Sequence, residues 1–382
     1  MATLLALALV LAPAGGGASH AQYAQRTTSY PSVLPEAPTS PDYGVSTFVF
    51  GEPNTIERDL GLAQAAQFRW QKSLFKWRQI EGACRGCFDW AEADAVVRAS
   101  ASAGLRIIAR LDFQPGWTGV PETTNGPPPN YQDYFDFVHA FVDRYRLGSS
   151  IGEVEAIEIW NEPNISREWG DQPVNQETAA DYVRLLAGAY AAAKATDPNV
   201  VVITAGLSPT GVTNGHSMDD LEYLQAMYAA GLRAGVNYDV LGVNANTQAP
   251  CVACDLDSLP AFPHPSFYFR RVEQLRELQV DNGDVDHQIW FLEFGWTSDQ
   301  VNPAYAWFAI SEDQKAENLV EAYQYAQKQW QPWIGVMSVW TLADPTWRSD
   351  REEYWWAITN PDGTVRPAYT AIQAARLNGQ LP

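Results

Sequence analysis

The chain has 382 residues, enough for two ordinary domains or one large α/β barrel with a sizeable core. Its formal net charge of −20 repels nucleic-acid phosphates and anionic membranes, and no Lys/Arg-rich run reverses that. Nucleic acid and membrane insertion are therefore excluded as expected partners.

Met1 to Ala14 is an apolar stretch too short to span a bilayer, and small residues follow it up to Ser19-His20-Ala21. Residues 1–21 resemble a secretory signal, although no Lys or Arg precedes Arg26. A disordered Ala/Gly-rich tail is the plainer alternative. Residues 22–40, rich in Ser, Thr, Pro and Tyr, suit a linker in front of one domain over 41–382. A secreted, extracellular protein is the expectation.

From there extended apolar segments alternate with helical ones to the C-terminus, the pattern of a parallel sheet wrapped by helices. Strands are predicted over Gly44–Phe50, Phe68–Lys72, Arg106–Asp112, Val154–Asn161, Val200–Ala205, Val240–Asn246, Ile289–Phe294 and Gly335–Trp340. Helices are predicted around Leu60 and over Ala91–Ala103, Tyr131–Tyr145, Thr178–Ala195, Met218–Ala230, Ser266–Leu278, Glu312–Gln329 and Arg366–Leu377. Eight such rounds fit a single (β/α)8 TIM barrel with enlarged loops on its C-terminal face. A doubly wound open sheet is the alternative, disfavoured because no Gly-rich phosphate loop follows the first strand.

Within this frame two acids occupy strand tips. Ile157 to Asn164 reads I-E-I-W-N-E-P-N, with Pro163 ending the strand pattern just past Glu162. Ile289 to Trp296 reads I-W-F-L-E-F-G-W and ends the seventh strand on Glu293 in the same manner. Simple alternation would turn Glu158, Trp160 and Glu162 inward on one strand, and Ile289, Phe291 and Glu293 on the other. Trp290 and Leu292 would then face the helices. A charge at Glu158 inside the barrel needs a cation, and Arg110, inward by the same parity, is the expected partner. Two carboxylates at a barrel mouth suit glycosidic bond cleavage, one protonating the leaving oxygen and one acting at the anomeric carbon.

Trp160-Asn161-Glu162-Pro163 on the fourth strand, a Glu tipping the seventh and Trp340 ending the eighth resemble the clan A retaining glycoside hydrolases. The wording is most similar to family 39 and family 5 members. That resemblance implies a retaining β-glycosidase with Glu162 as acid/base and Glu293 as nucleophile, their carboxyls about 5–5.5 Å apart. It further implies that Asn161 meets the sugar 2-hydroxyl and that Trp340 is the platform under the ring, with no cofactor. Where relatives carry His or Tyr at the end of strand six, this chain has Asn244-Ala245-Asn246, which leaves open what tunes the nucleophile. Asn246, Lys72, Trp117 and Trp296 complete the expected substrate-binding set, with Arg78 and Asp112 as supporting residues. The expected partner is an oligo- or polysaccharide, bound by a monomer. A carbohydrate-binding pseudo-enzyme without turnover is the rival from another class.

Cys84-x-x-Cys87 and Cys251-x-x-Cys254 have zinc spacing, but they fall in loops on opposite sides of the predicted mouth. Two local disulfides, and no metal site, are expected. The five histidines show no ligand spacing, and the Asn164-Ile165-Ser166 sequon is read as a chance match beside the proposed acid.

Overall fold

The computed structural model describes residues 39–381 apart from 256 and 260–264. The expected signal and nearly all of the linker lie outside them.

Eight strands alternate with eight helices: β1 (Asp42–Thr47), α1 (Ile56–Ala65), β2 (Trp70–Lys76), α2 (Ala91–Ser102), β3 (Arg106–Asp112), α3 (Tyr131–Tyr145), β4 (Ala156–Ile159) and α4 (Gln176–Thr196) form the first half. The second half is β5 (Val201–Thr204), α5 (Asp220–Ala229), β6 (Leu241–Asn246), α6 (Arg271–Asp281), β7 (Ile289–Gly295), α7 (Glu312–Gln329), β8 (Ile334–Val339) and α8 (Pro367–Leu377). The strands are parallel and run β5-β4-β3-β2-β1-β8-β7-β6. The ring closes between β5 and β6, where Thr204 N–H donates to the Val240 carbonyl at 3.1 Å and Gly242 N–H to Thr204 Oγ1 at 2.9 Å. The expected (β/α)8 TIM barrel is the observed fold.

Helix positions follow from apolar spacing and caps. Tyr134, Phe137, Val138, Phe141 and Tyr145 recur at the helical period and are all buried on α3, whose N-cap Asn130 accepts from Gln132 N–H. Asn175 and Thr178 form a reciprocal capping box at the start of α4. Each buried Phe or Leu of these faces contributes roughly 1.5–3 kcal/mol. Among the described residues no helix is long and apolar enough to cross a membrane.

The core has two layers. Trp70, Ile108, Ala156, Val201, Ile203, Val240, Trp290, Leu292 and Val336 fill the barrel interior. The opposite strand faces, with Ile157, Ile159, Ile289 and Phe291, pack on the helices. This corrects the expected parity of strand seven. Trp290 and Leu292 point inward, while Phe291 stacks on Phe269 of the α6 side at 5.6 Å. A bulge is the reason: Val243 pairs with Phe291 but Asn244 pairs with Glu293, so β7 carries one extra residue, Leu292. That extra residue returns Glu293 to the interior face, and strict alternation from Ile289 could not have found it.

Cys84–Cys87 and Cys251–Cys254 are two local disulfides, with Cα separations of 5.2 and 5.4 Å, in the β2–α2 and β6–α6 loops. No cluster of three or more potential metal ligands exists among the described residues.

Candidate active site

The mouth is built where β4 stops. Ile159 is its last residue, and the chain then takes left-handed backbone at Trp160 (φ 72°) and again at Glu162 (φ 37°). Such conformations cost of order 1 kcal/mol or more for residues with a Cβ, so the surroundings must hold them. They do so with an aromatic stack. Trp160 packs edge-on against Tyr134 of α3 at 5.7 Å and against Trp169 at 5.9 Å, and Trp169 meets Tyr182 of α4 at 5.9 Å. The Trp160 indole donates to the Glu168 carbonyl at 2.7 Å. Trp160 thus turns outward, against the expected alternation, and the turn delivers Asn161 and Glu162 to the mouth. Asn164 anchors the loop just past them: its amide donates to the Ser208 and Met218 carbonyls and accepts from Ser208 N–H. Fully buried, it has no room for a glycan.

Glu162 is buried and accepts one hydrogen bond, from Asn244 Nδ2 of β6 at 3.0 Å. Asn244 reaches it because residue 206 is glycine; a Cβ there would fall 2.2 Å from Asn244 Oδ1. The guanidinium of Arg167 stands 3.7 Å from Oε2, with its side chain 71% exposed. Burial, together with the charges of Glu293 and Glu168, pushes the Glu162 carboxyl up to about 7, against the weaker downward pull of Asn244 and Arg167.

Glu293 has a different environment. Lys72 Nζ lies 2.9 Å from its Oε1, and Arg110 Nη1 lies 3.8 Å from the same atom. Lys72 also sits 3.1 Å from Glu158 Oε2. The counter-charge of Glu158 is therefore Lys72 first. Arg110, in register beside Glu158 on β3, instead pairs most closely with Asp112, at 3.4 Å. β2 runs on to Lys76, so Lys72 is an interior mid-strand residue and not a strand tip open to ligand. Burial raises Glu158 to about 6 against the pull of Lys72 and Arg110, and raises Asp112 to about 6 against Arg110. Asn125 Nδ2 links Asp112 at 3.0 Å to Glu168 at 2.9 Å.

The remaining expected residues divide. Asn161 is buried beside Glu162 with its Oδ1 unpartnered, an acceptor aimed at nothing in the protein. Trp340, half-buried after β8, packs edge-on against Phe48 at 5.4 Å. Asn246 is half-buried at the end of β6. Trp117 packs perpendicular to Trp77 and donates to the Glu81 carbonyl at 2.6 Å, tying two loops together. Trp296 is corrected: it is 1% exposed, tilts on Phe269 at 5.6 Å and donates to the Ala249 carbonyl, so it presents no ring face to a ligand. Arg78 lies over the Phe113 ring at 4.6 Å and donates to the Glu122 carbonyl. Sequence reasoning missed Glu168 and Asn125, which lie in loops whose path no periodicity shows.

No family model matches the chain, and no curated protein matches it in sequence. The fold is similar to that of solved glycoside hydrolases. One is a family 39 glycoside hydrolase from the gut symbiont Bacteroides cellulosilyticus WH2, with TM-score 0.62 and 17% identity over 89% of this chain and 65% of that one. Another is a GH5_18 protein from Streptomyces cattleya in complex with Manb1-4GlcNAc, with TM-score 0.61, 16% identity, and 90% and 82% of the two chains covered. An exo-beta-1,4-mannosidase from Opitutaceae bacterium strain TAV5 gives TM-score 0.60 at 14% identity over 93% and 62%. The chain thus spans about two thirds of the length of the first of these. The expected likeness to families 39 and 5 holds at the level of the fold.

Proposed function

We propose that the protein is a retaining β-glycoside hydrolase acting on an oligo- or polysaccharide, with Glu162 as acid/base and Glu293 as nucleophile. The observation that carries this reading is the contrast between two buried acids at the tips of β4 and β7. Glu162 is pushed up to about 7 with a single amide donor, which suits a group that must hold a proton at neutral pH and then release it. Glu293 faces an ammonium and a guanidinium, the charge complement of a carboxylate that attacks an anomeric carbon.

In the first step Glu293 forms a bond to the anomeric carbon while Glu162 gives its proton to the departing oxygen. In the second, Glu162 takes a proton from water, and the water oxygen displaces Glu293 with net retention. In this reading Asn161 Oδ1, which has no partner in the protein, accepts from a sugar hydroxyl beside that carbon, and the half-buried Trp340 ring lies under the apolar face of the sugar. No cofactor enters this chemistry. We place the activity outside the cytoplasm, in an oxidising compartment that would sustain both disulfides, and assign it to the monomer.

The test is a panel of aryl β-glycosides followed by proton NMR of the first-formed anomer. Turnover with retention, lost by about 10⁴-fold or more in Glu293→Ala, is the expected result. An inverted product removes the two-step mechanism. Sugar binding without turnover of any glycoside would make the chain a carbohydrate-binding barrel.

A further inference from the structure

Most tryptophans of this chain have their indole N–H engaged. Of the fifteen, Trp70, Trp77, Trp117, Trp160, Trp290, Trp296, Trp307, Trp330, Trp355 and Trp356 each donate to a protein acceptor. Trp169, Trp333 and Trp90 likewise lack an indole acceptor among the described residues, but the first two are buried and Trp90 stacks on Phe88 at the outer wall, where it also meets Tyr145 of α3. Two remain. Trp340 and Trp347 are half-buried at the mouth, and neither indole N–H has a protein acceptor among the described residues.

These two rings share one neighbour. Phe48, half-buried just past the end of β1, packs edge-on against Trp340 at 5.4 Å and against Trp347 at 4.8 Å. The loop that carries Trp347 is fixed at its root. Thr341 Oγ1 and Leu342 N–H both donate to the Ser46 carbonyl of β1, and Ala343 N–H donates to Thr359 Oγ1. Asp344 then folds the loop back by accepting from Thr346 N–H at 2.7 Å, and the Asp344 carbonyl accepts from Trp347 N–H. The aromatic strip is therefore set by the backbone of β1 and β8.

Its direction has a chemical meaning. β8 and β1 stand opposite β4 in the ring. The proton donor of the proposed reaction is at the tip of β4, so the leaving group lies on that side. We infer that Phe48 and Trp347, continuing outward the strip that Trp340 begins at the cleavage point, form a second sugar subsite on the glycone side, stacking the apolar face of the next pyranose. Trp347 supplies the ring and a free N–H for a sugar oxygen. This rests on the glycosidase reading, and it makes the enzyme one that prefers substrates with at least two sugars before the scissile bond.

The experiment compares aryl β-monosaccharides with the matching aryl β-disaccharides in wild-type, Trp347→Ala and Trp347→Phe proteins, with folding checked by circular dichroism. Wild-type kcat/KM should favour the disaccharide by about tenfold or more, the size expected of one aromatic stacking contact. Trp347→Ala should bring that ratio down toward one, and Trp347→Phe should recover part of it. A wild-type ratio of one, or a ratio that Trp347→Ala does not move, overturns the subsite. If no aryl glycoside is turned over, the glycosidase reading fails separately. The strip is then judged by calorimetry with unmodified β-linked disaccharides and trisaccharides. Affinity about tenfold weaker in Trp347→Ala supports it, and equal affinity overturns it. Should Trp347→Ala fail to fold, Phe48→Leu gives the same readings.

Discussion

Asp284, buried at the base of the barrel, and three carboxylates buried at its mouth are held in opposite ways. At the base, in the α6–β7 connection, Asp284 accepts from Tyr238 OH at 2.6 Å, Gln279 Nε2 at 2.8 Å and His287 Nδ1 at 2.7 Å. Burial alone would raise it, but the bonds from His287, Tyr238 and Gln279 and the charge of His287 together outweigh burial and hold Asp284 below the usual carboxylate range. At the mouth, Glu162 has one amide donor, while Glu158 Oε1 and Asp112 Oδ1 have no hydrogen-bond partner, and all three are raised. Donor supply separates Asp284 from these three, although donors do not always outweigh burial: Asp220 is raised even with the Arg271 guanidinium donating to it. Glu155, at the base end of β4, is also raised by burial, to about 7, with Ile107 N–H as its inter-strand donor. Asp284, supplied with donors, ties the base together, whereas Glu162, supplied with one, holds its proton up to about 7.

The largest blow to this contrast should come from Lys72→Met. It removes the only cation among the described residues within 3.5 Å of both Glu158 and Glu293, and stranding a buried charge costs about 3–5 kcal/mol. Thermal unfolding should show that loss, and kcat/KM should fall at least 100-fold. Adding Glu158→Gln should return part of the stability and little of the rate, because Glu293 still lacks its ammonium. If Lys72→Met alone keeps wild-type stability, the counter-charge assignment is wrong.

At the base, Asp284→Ala takes away the acceptor shared by three side-chain donors and the His287 N–H, and should cost about 2–3 kcal/mol in denaturant unfolding, with kcat/KM unmoved. An equal loss of rate would mean that the two ends are coupled.

A third consequence is the pH dependence of stability. Glu158, Asp112, Glu162 and Glu155 keep protons in the folded state up to about 6 or 7, whereas the unfolded chain releases them near 4. Between these values the folded state binds more protons, so stability falls as pH rises from about 4.5 to about 7 and then levels. The melting temperature should be higher at pH 5 than at pH 7.5 by several degrees. A maximum above pH 7 would contradict the raised values. The smallest expected effect is that of Asn244→Ala. Losing a donor that favours ionised Glu162 should move the alkaline limb of the kcat/KM profile to higher pH.

Much of this was legible in the sequence. Apolar alternation placed eight strand and helix rounds, and W-N-E-P with L-E-F-G-W marked both acids. What alternation could not show is backbone that departs from it. The bulge at Leu292 and the left-handed turns at Trp160 and Glu162 set the aim of both acids, and no hydrophobic period encodes either. The same limit hid Lys72 as the bridge between Glu158 and Glu293, since which interior residues touch depends on register across strands. Trp296 was misjudged because closeness to the strand that carries Glu293 says nothing about which way an indole packs.

The central claim is that Glu162 donates the proton, and the leaving-group dependence of Glu162→Ala tests it most directly. On a 2,4-dinitrophenyl β-glycoside, whose leaving group needs no proton, the variant should keep much of the wild-type rate of the first step. On the unsubstituted phenyl glycoside it should lose about 10³-fold or more. Equal losses on both substrates, or full activity on both, would contradict the account.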